Sequence, residues 1–178
     1  RLGIPVWRLL GLDASATPPT SMTIGIDDPD LIAQKVRDAR GFGFLKIKVG
    51  MDRDAETLAI VREYAPAARL LLDANCGWSP DDALDHIRDL VRFDPEIIEQ
   101  PIPSGDRDAL RRLHEKSPIP ICLDEDFVRP EDAVGLSGCA WGVNIKLAKC
   151  GGIREALRAV TLARSAGLKI MLGCMAET

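Results

Sequence analysis

The stretch GFLKIKVG, residues 43–50, combines an apolar strand pattern with two lysines, Lys46 and Lys48, spaced two residues apart. Because successive side chains of a strand point to opposite faces, the two lysines share one face and the aliphatic residues Leu45 and Ile47 share the other. An ammonium group is costly to bury without a partner. The stretch therefore predicts a strand that packs one face against helices and carries two cations toward a polar site on its other face.

Short apolar runs of this kind alternate with longer amphipathic segments along the sequence. Seven strand-like runs and six helix-like segments between them predict βαβ units and a parallel sheet. The sheet can be open and doubly wound, or closed as a (β/α) barrel. No GxGxxG or GxxxxGK[ST] motif follows a strand, which removes the best sequence support for a nucleotide-binding open sheet. The strand-like runs are SMTIGI, FLKIKVG, RLLLDAN, EIIEQPI, PICLDED, GVNIKLAK and KIMLGCM.

Ionisable residues recur with the same period as these strands. From Lys48 the spacing is 25 residues to Asp73, 26 to Glu99, 25 to Asp124 and 25 to Lys149. Each residue is expected at the carboxyl end of its strand, and in a barrel these ends meet at the mouth where barrel enzymes keep their catalytic groups. The charges therefore favour the α/β class with a TIM-type (β/α) barrel, of which the chain supplies seven strands.

The three carboxylates in this series would repel one another without a bound cation. Asp73, Glu99 and Asp124 are therefore predicted to bind Mg²⁺, which prefers oxygen ligands and leaves room for water and a substrate oxygen. A lysine beside a metal ion and a second cation has a lowered pKa and can act as a base near neutral pH. Lys48 and Lys149 are the two candidate acid/base groups.

This set of residues predicts removal of the proton alpha to a carboxylate. The metal ion and Lys46 would stabilise the enediolate as charge moves onto oxygen, and Lys46 is also a candidate ligand of the substrate carboxylate. One lysine would remove the proton and the other would return it from the opposite face, which describes a racemase or epimerase. Lys146 lies three residues before Lys149, and strict alternation puts the two on opposite faces, so the choice between them depends on how regular the strand is.

The motifs KIK, DAN, IEQP, DED and NIKLAKCGG together resemble the enolase superfamily, and within it the muconate-lactonizing-enzyme subgroup, over residues 6–178. The mandelate-racemase branch would need a His–Asp pair, but the two histidines, His86 and His114, lie in helix-like segments. The resemblance favours Lys149 over its neighbour as the opposing acid/base. It implies these roles: acid/base groups Lys48 and Lys149, and metal ligands Asp73, Glu99 and Asp124.

Two further segments, TSMTIGID and GCMAET, are similar to dipeptide epimerases, which act on L-Ala-D/L-Glu and related dipeptides. Thr23 lies in the first of these segments and is a candidate substrate contact. Glu177, at the end of the seventh strand-like run, is a candidate for contact with the substrate or with a lysine. Asn75 and Asp126 share strand faces with Asp73 and Asp124, so they are candidates either to orient the metal ligands or to lie in solvated loops. Members of the family also have an N-terminal capping domain and an eighth strand. We therefore expect residues 1–20 to be a linker from such a domain, and residues 21–178 to form seven strands of a (β/α)7β barrel.

Composition limits the remaining possibilities. A net charge of −4 argues against a nucleic-acid partner, and no apolar run is long enough for a membrane span. The five cysteines form no CxxC pair, which favours reduced thiols and a cytoplasmic protein; a homo-oligomer remains open. Alternative activities within the superfamily are those of o-succinylbenzoate synthase, N-succinylamino-acid racemase and muconate cycloisomerase. An alternative of another class is a non-catalytic α/β domain that binds a small molecule.

Overall fold

The structure, a computed structural model, describes residues 2–175. Seven strands form one parallel sheet in the order of the sequence. The sheet is curled, and among the described residues β1 and β7 are each paired on one side only, so the strands form part of a barrel. The strands are β1 (Met22–Ile24), β2 (Phe44–Lys48), β3 (Arg69–Asp73), β4 (Pro95–Glu99), β5 (Ile121–Leu123), β6 (Gly142–Lys146) and β7 (Lys169–Gly173).

Helices connect each strand to the next, as the alternation in the sequence predicts. The helix after β1 begins at Pro29, whose fixed φ suits the first helical position. A short helix between β6 and the last long helix was not expected, because the sequence there continues the strand pattern. The helices are α1 (Val6–Leu9), α2 (Pro29–Asp38), α3 (Asp54–Tyr64), α4 (Ala83–Leu90), α5 (Arg107–Lys116), α6 (Asp132–Leu136), α7 (Leu147–Cys150) and α8 (Ile153–Ser165), with 3₁₀ turns at Ala14–Ala16 and Val91–Phe93.

Strand β2 has the two faces that its sequence predicts. Leu45, Ile47 and the following Val49 are buried in the layer between the sheet and the helices. Burial of one such side chain contributes about 1.5–3 kcal/mol, which is enough to fix the register of a short strand. Lys46 and Lys48 alternate with these residues and are only partly buried, on the inner face of the curled sheet.

The loops that follow β2 and β3 are locked together by Asp54, the first residue of α3. Its carboxylate accepts hydrogen bonds from the backbone N–H groups of Gly50, at 2.9 and 3.0 Å, and of Met51, at 3.1 Å. The indole Nε1 of Trp78 donates to the same carboxylate at 3.2 Å. Gly50 has a φ of +104°, and a Cβ there would lie 2.6 Å from the carbonyl oxygen of Ala74. These contacts hold the backbone that directly follows the inward-facing lysines.

The segment before β1 is exposed throughout residues 2–21, and none of the four residues of α1 is buried. The predicted division at residue 20 between a linker and a barrel stays a prediction. Within residues 2–175, every helix is too short or too polar to cross a membrane. The cytoplasmic location inferred from the cysteines likewise stays a prediction.

Candidate active site

The ionisable residues singled out by their spacing meet at the carboxyl edge of the sheet. Lys48, Asp73 and Glu99 are the last residues of β2, β3 and β4, and the sheet register pairs Lys48 with Asp73 and Asp73 with Glu99. Asp124 directly follows β5, and Lys146 is the last residue of β6. Parallel strands in sequential order therefore place these side chains on one rim, as the spacing in the sequence predicts for all of them except Lys146, which the spacing does not include.

Lys46 lies between two buried carboxylates. Its Nζ donates to Glu99 Oε2 at 2.8 Å and is also 2.8 Å from Asp73 Oδ2. The side chains of Asp73 and Glu99 are 1% and 0% exposed, whereas that of Lys46 is 15% exposed. Because a buried carboxylate is costly unless it is paired, this one ammonium group neutralises charge on both acids.

Lys48 occupies a more open position at the end of the same strand. Its Nζ donates to Asp73 Oδ2 at 2.8 Å and also contacts Asn75 Oδ1. Asn75 in turn donates through Nδ2 to Glu125 Oε1 at 3.2 Å. The side chain of Lys48 is 30% exposed, so its ammonium group can be reached from the mouth of the sheet.

Asp124 is shared by two lysines from the sixth strand and the helix that follows it. Lys146 Nζ donates to Asp124 Oδ2 at 2.6 Å. Lys149 Nζ contacts Asp124 Oδ1 and donates to the backbone oxygen of Asp124 at 2.6 Å. The expectation that Lys149 ends the sixth strand is wrong, because β6 ends at Lys146 and the chain then turns into α7, which carries Lys149.

The pKa values at the rim follow from burial and charge acting in opposite directions. Burial acts to lower the pKa of Lys46, but the carboxylates of Glu99 and Asp73 outweigh it, so the pKa is raised. Burial acts to raise the pKa of Asp73, but the contacts with Lys46 and Lys48 outweigh it, so the pKa is lowered. In Glu99 burial outweighs the nearby Lys46, and the pKa is raised. Asp73 is therefore the acid that holds its charge more firmly.

The donor set suits a hard divalent cation, since it consists of buried carboxylates from three successive strands. In this structure Asp73, Glu99 and Asp124 each contact an ammonium group. No group of three or more His, Cys, Asp or Glu side chains in the described part of the chain is arranged to hold a metal ion. A cation bound by these acids would take over the charge that Lys46 supplies, so Lys46 would have to move away from them. The type of donor fits Mg²⁺, and the metal role of the three acids stays a prediction.

The other predicted site residues lie at different distances from this cluster. Thr23 pairs with Lys46 in the register of β1 and β2, so its backbone lies beside the rim lysines. Asp126 contacts the side chain of Gln100 and the backbone N–H of Gly105. Glu177 lies outside the described residues.

Two buried polar residues of the site were not predicted from the sequence. Asn144 donates through Nδ2 to Glu99 Oε1 at 2.9 Å, and its Oδ1 has no hydrogen-bond partner within residues 2–175. The signal for it was available, because Asn144 shares the inner face of β6 with Lys146. Gln100 directly follows Glu99 and has a φ of +37°, a backbone turn that no periodic pattern predicts.

A groove of about 440 Å³ opens beside Lys48, between the loop that follows β1 and the loop that follows β2. Its walls combine the apolar side chains of Ile26 and Met51 with the acidic side chains of Asp28 and Asp52. The rim lysine therefore borders a space large enough for part of a small molecule.

The chain is similar in sequence to known proteins. The chain is 41% identical over 179 residues to the L-Ala-D/L-Glu epimerase of Bacteroides thetaiotaomicron, covering 99% of this chain and 46% of that protein. It is 42% identical over 184 residues to the hydrophobic dipeptide epimerase of Roseobacter litoralis, covering 99% of this chain and 53% of that protein. The chain thus spans about half the length of the curated relatives that it matches.

Solved structures of dipeptide epimerases are also similar to this chain. The dipeptide epimerase from Enterococcus faecalis V583 superposes with a TM-score of 0.84 at 38% identity, covering 90% of this chain and 48% of that one. The dipeptide epimerase from Cytophaga hutchinsonii, complexed with Mg and the dipeptide D-Ala-L-Val, superposes with a TM-score of 0.89 at 30% identity, covering 96% and 48%. These likenesses confirm the predicted barrel architecture. The family profile described as "Enolase C-terminal domain-like" matches residues 31–178, and the chain therefore belongs to that family, which confirms the resemblance to the enolase superfamily.

Proposed function

We propose that the protein is a Mg²⁺-dependent epimerase that acts on dipeptides by removing and returning the proton alpha to a carboxylate. The observation that carries this proposal is the arrangement of the rim, where lysines from β2 and β6 flank three buried carboxylates. Strands four apart lie across from each other in a barrel of eight strands. Lysines from these two strands can therefore approach one carbon atom from opposite sides. The relatives named as dipeptide epimerases support the choice of substrate.

Lys48 is the proposed acid/base group on one side. It is the last residue of β2, and its side chain is the most exposed of the four rim lysines. The sequence motif favoured Lys149 on the other side. We propose Lys146 in its place, since it ends β6 as Lys48 ends β2 and shares the inner face of its strand with Asn144. Lys149 donates a hydrogen bond to the backbone oxygen of Asp124, so its proposed role is to stabilise the turn that follows β5.

Asp73, Glu99 and Asp124 are the proposed metal ligands. Bound there, Mg²⁺ would supply positive charge to the carboxylate oxygens of the substrate, on which negative charge develops when the alpha proton leaves. Lys46, whose amino group already contacts two of these acids, is proposed to bind the substrate carboxylate. Lys48 takes the proton on one face, and Lys146 returns a proton on the other, which inverts the carbon atom.

The test is solvent-deuterium exchange at the alpha carbon of L-Ala-L-Glu and other dipeptides, followed by NMR with the full-length protein and Mg²⁺. Lys48→Ala and Lys146→Ala are each expected to reduce epimerisation by at least about 10³-fold, since each removes one acid/base group. Each variant is expected to retain exchange of the epimer whose proton faces the remaining lysine.

The matched controls are Lys149→Ala and Lys116→Ala, the latter at an exposed lysine of α5. If Lys149→Ala abolishes epimerisation and Lys146→Ala does not, the opposing group is Lys149, as the sequence motif suggested. If Lys48→Ala keeps wild-type turnover, the two-base mechanism is refuted. Exchange with N-succinylamino acids but with no dipeptide would leave the proton chemistry standing and refute the proposed substrate.

A further inference from the structure

Gln100 is a fully buried amide at the centre of the rim. It is 0% exposed, directly follows Glu99 at the end of β4, and adopts the left-handed backbone conformation with a φ of +37°. That conformation is uncommon for a residue with a side chain, and burial of a primary amide is costly unless its donors and acceptor are all satisfied. Because both features are unfavourable, we expect the contacts of the Gln100 side chain to compensate for them.

The side chain of Gln100 satisfies its hydrogen-bonding groups entirely with the turn after β5 and with its own loop. Its Oε1 accepts from the backbone N–H groups of Asp124 and Glu125, both at 3.0 Å, and of Asp126 at 3.3 Å. Its Nε2 donates to Asp126 Oδ2 at 2.7 Å and to the carbonyl oxygen of Ile102 at 3.0 Å. One amide thus takes part in five contacts.

These contacts take the place of backbone pairing between β4 and β5, which ends before Asp124. Strand β5 has three residues and pairs with β4 only at Ile121 and Cys122. The last rung is the backbone N–H of Gln100, which donates to the Cys122 oxygen at 2.8 Å. Beyond it, the backbone N–H groups of residues 124–126 converge on the Gln100 side chain. The position of the Asp124 backbone therefore depends on this amide.

The orientation of the amide is fixed from both ends. Three N–H donors on one side require an oxygen, and the carboxylate of Asp126 with the Ile102 carbonyl on the other side requires an NH₂ group. Asp126 is itself held by the backbone N–H of Gly105, which donates to its Oδ1 at 2.9 Å. A carboxylate at position 100 would keep the three N–H bonds but would set an oxygen against Asp126.

We propose that Gln100 is a positioning residue, oriented by Asp126, which holds the turn at residues 124–126 so that the Asp124 carboxylate reaches the metal-binding rim. This inference rests on the proposed function, because it assumes that Asp124 is a ligand of Mg²⁺. It assigns Asp126 to the support of Gln100, which in turn supports the ligand.

The experiment measures the Kd of Mg²⁺ by calorimetry in the full-length protein for the wild type, Gln100→Glu, Asp126→Asn and the double variant. Gln100→Glu adds a negative charge near the acids, so electrostatics alone would tighten Mg²⁺ binding. Loss of positioning predicts the opposite, a Kd raised by about 10-fold or more. The sign of the change therefore separates positioning from charge.

The double variant has the same net charge as the wild type and reverses the amide–carboxylate pair. The amide introduced at position 126 can donate to the carboxylate introduced at position 100 while its oxygen still accepts from the Gly105 N–H; the bond to the Ile102 carbonyl is the one contact that the double variant does not restore. The Kd is therefore expected to return to within about 5-fold of the wild type. Equal or tighter Mg²⁺ binding by Gln100→Glu would overturn the inference, as would a double variant no better than Gln100→Glu.

Failure of the inference is distinguishable from failure of the proposed function. If the wild type itself binds no Mg²⁺ at millimolar concentration, the proposed metal site is wrong. If Gln100→Glu does not fold, the double variant decides: a folded protein with near wild-type Kd supports the inference, and an unfolded or non-binding one overturns it.

Discussion

Replacement of Lys46 by methionine removes the ammonium group that lies between Asp73 and Glu99 but keeps a side chain of similar length. The two carboxylates are 1% and 0% exposed and each lies 2.8 Å from the lysine Nζ. Loss of one partner of a buried ion pair leaves uncompensated charge and costs about 3–5 kcal/mol. We expect the free energy of unfolding in the absence of divalent ions to fall by that amount.

The matched control is Lys35→Met. Lys35 pairs with Asp27, but the two side chains are 40% and 29% exposed, and such surface pairs contribute about 0–1 kcal/mol. Both variants and the wild type are compared by urea denaturation of the full-length protein. Equal losses in the two variants would refute the interpretation that Lys46 neutralises buried charge.

The loss caused by Lys46→Met is also expected to depend on pH. The pKa of Glu99 is already raised in the wild type, and without the ammonium group it should rise further, while the pKa of Asp73 is no longer lowered by Lys46, so the variant loses stability relative to the wild type as pH increases. In the wild type the pKa of Lys46 is raised from 10.5, so its contribution is fully present below that pH and is lost as pH rises through the folded-state value. The difference between the two proteins should therefore grow as pH rises above the ordinary carboxylate pKa values of 3.8 and 4.5. A constant difference would contradict the assigned charges.

Mg²⁺ in excess should restore more stability to the variant than to the wild type, because no lysine has to be displaced.

Three further outcomes are expected. Asp54→Ala leaves the N–H groups of the loop after β2 and the Trp78 indole without their acceptor, and should cost about 2–4 kcal/mol in urea denaturation. Gly50→Ala requires a side chain at a φ of +104° and against a carbonyl oxygen, and should lower the free energy of unfolding by about 2–5 kcal/mol; a loss below about 1 kcal/mol would show that the loop relaxes. Burial, with Glu125 nearby, raises the pKa of the Cys76 thiol from 9.0 to about 11. Alkylation of Cys76 by iodoacetamide at about pH 8 should therefore be about 100-fold slower than alkylation of an unperturbed thiol, and its rate should increase with pH. Peptide mass spectrometry would follow the reaction, with Cys76→Ser as the control.

The sequence predicts the strands and the rim because both depend on regular geometry. The period of two in GFLKIKVG separates the inner from the outer face, and the shared direction of parallel strands brings Lys48, Asp73 and Glu99 to one edge. These inferences need only the repeat of the secondary structure. The resemblance to the enolase superfamily further predicts a barrel, and the comparisons confirm both the family and the barrel.

Most of what the sequence does not predict lies in the turns that follow the strands. There the direction of a side chain depends on individual backbone angles, and Asn75, Cys76 and Gln100 all have positive φ. The same limit explains Lys149, because a strand pattern does not reveal that β6 ends at Lys146 and that a four-residue helix follows. Hydrogen-bond partners such as those of Gln100 follow from these local turns, so they become visible only in the structure.

The charges of the rim link its folding to its chemistry. Asp73 and Asp124 each contact two lysines, whereas Glu99 pairs with Lys46 alone within the described residues, so removal of Lys46 leaves a costly buried charge. An activity lost on substitution of a rim lysine can therefore reflect a missing base or a destabilised rim. Urea denaturation of the same variants separates the two causes, because a missing base changes turnover at unchanged stability. Lys46 is the position where both effects should be large, whereas Lys48, with its 30% exposed side chain, is where the chemical effect should dominate.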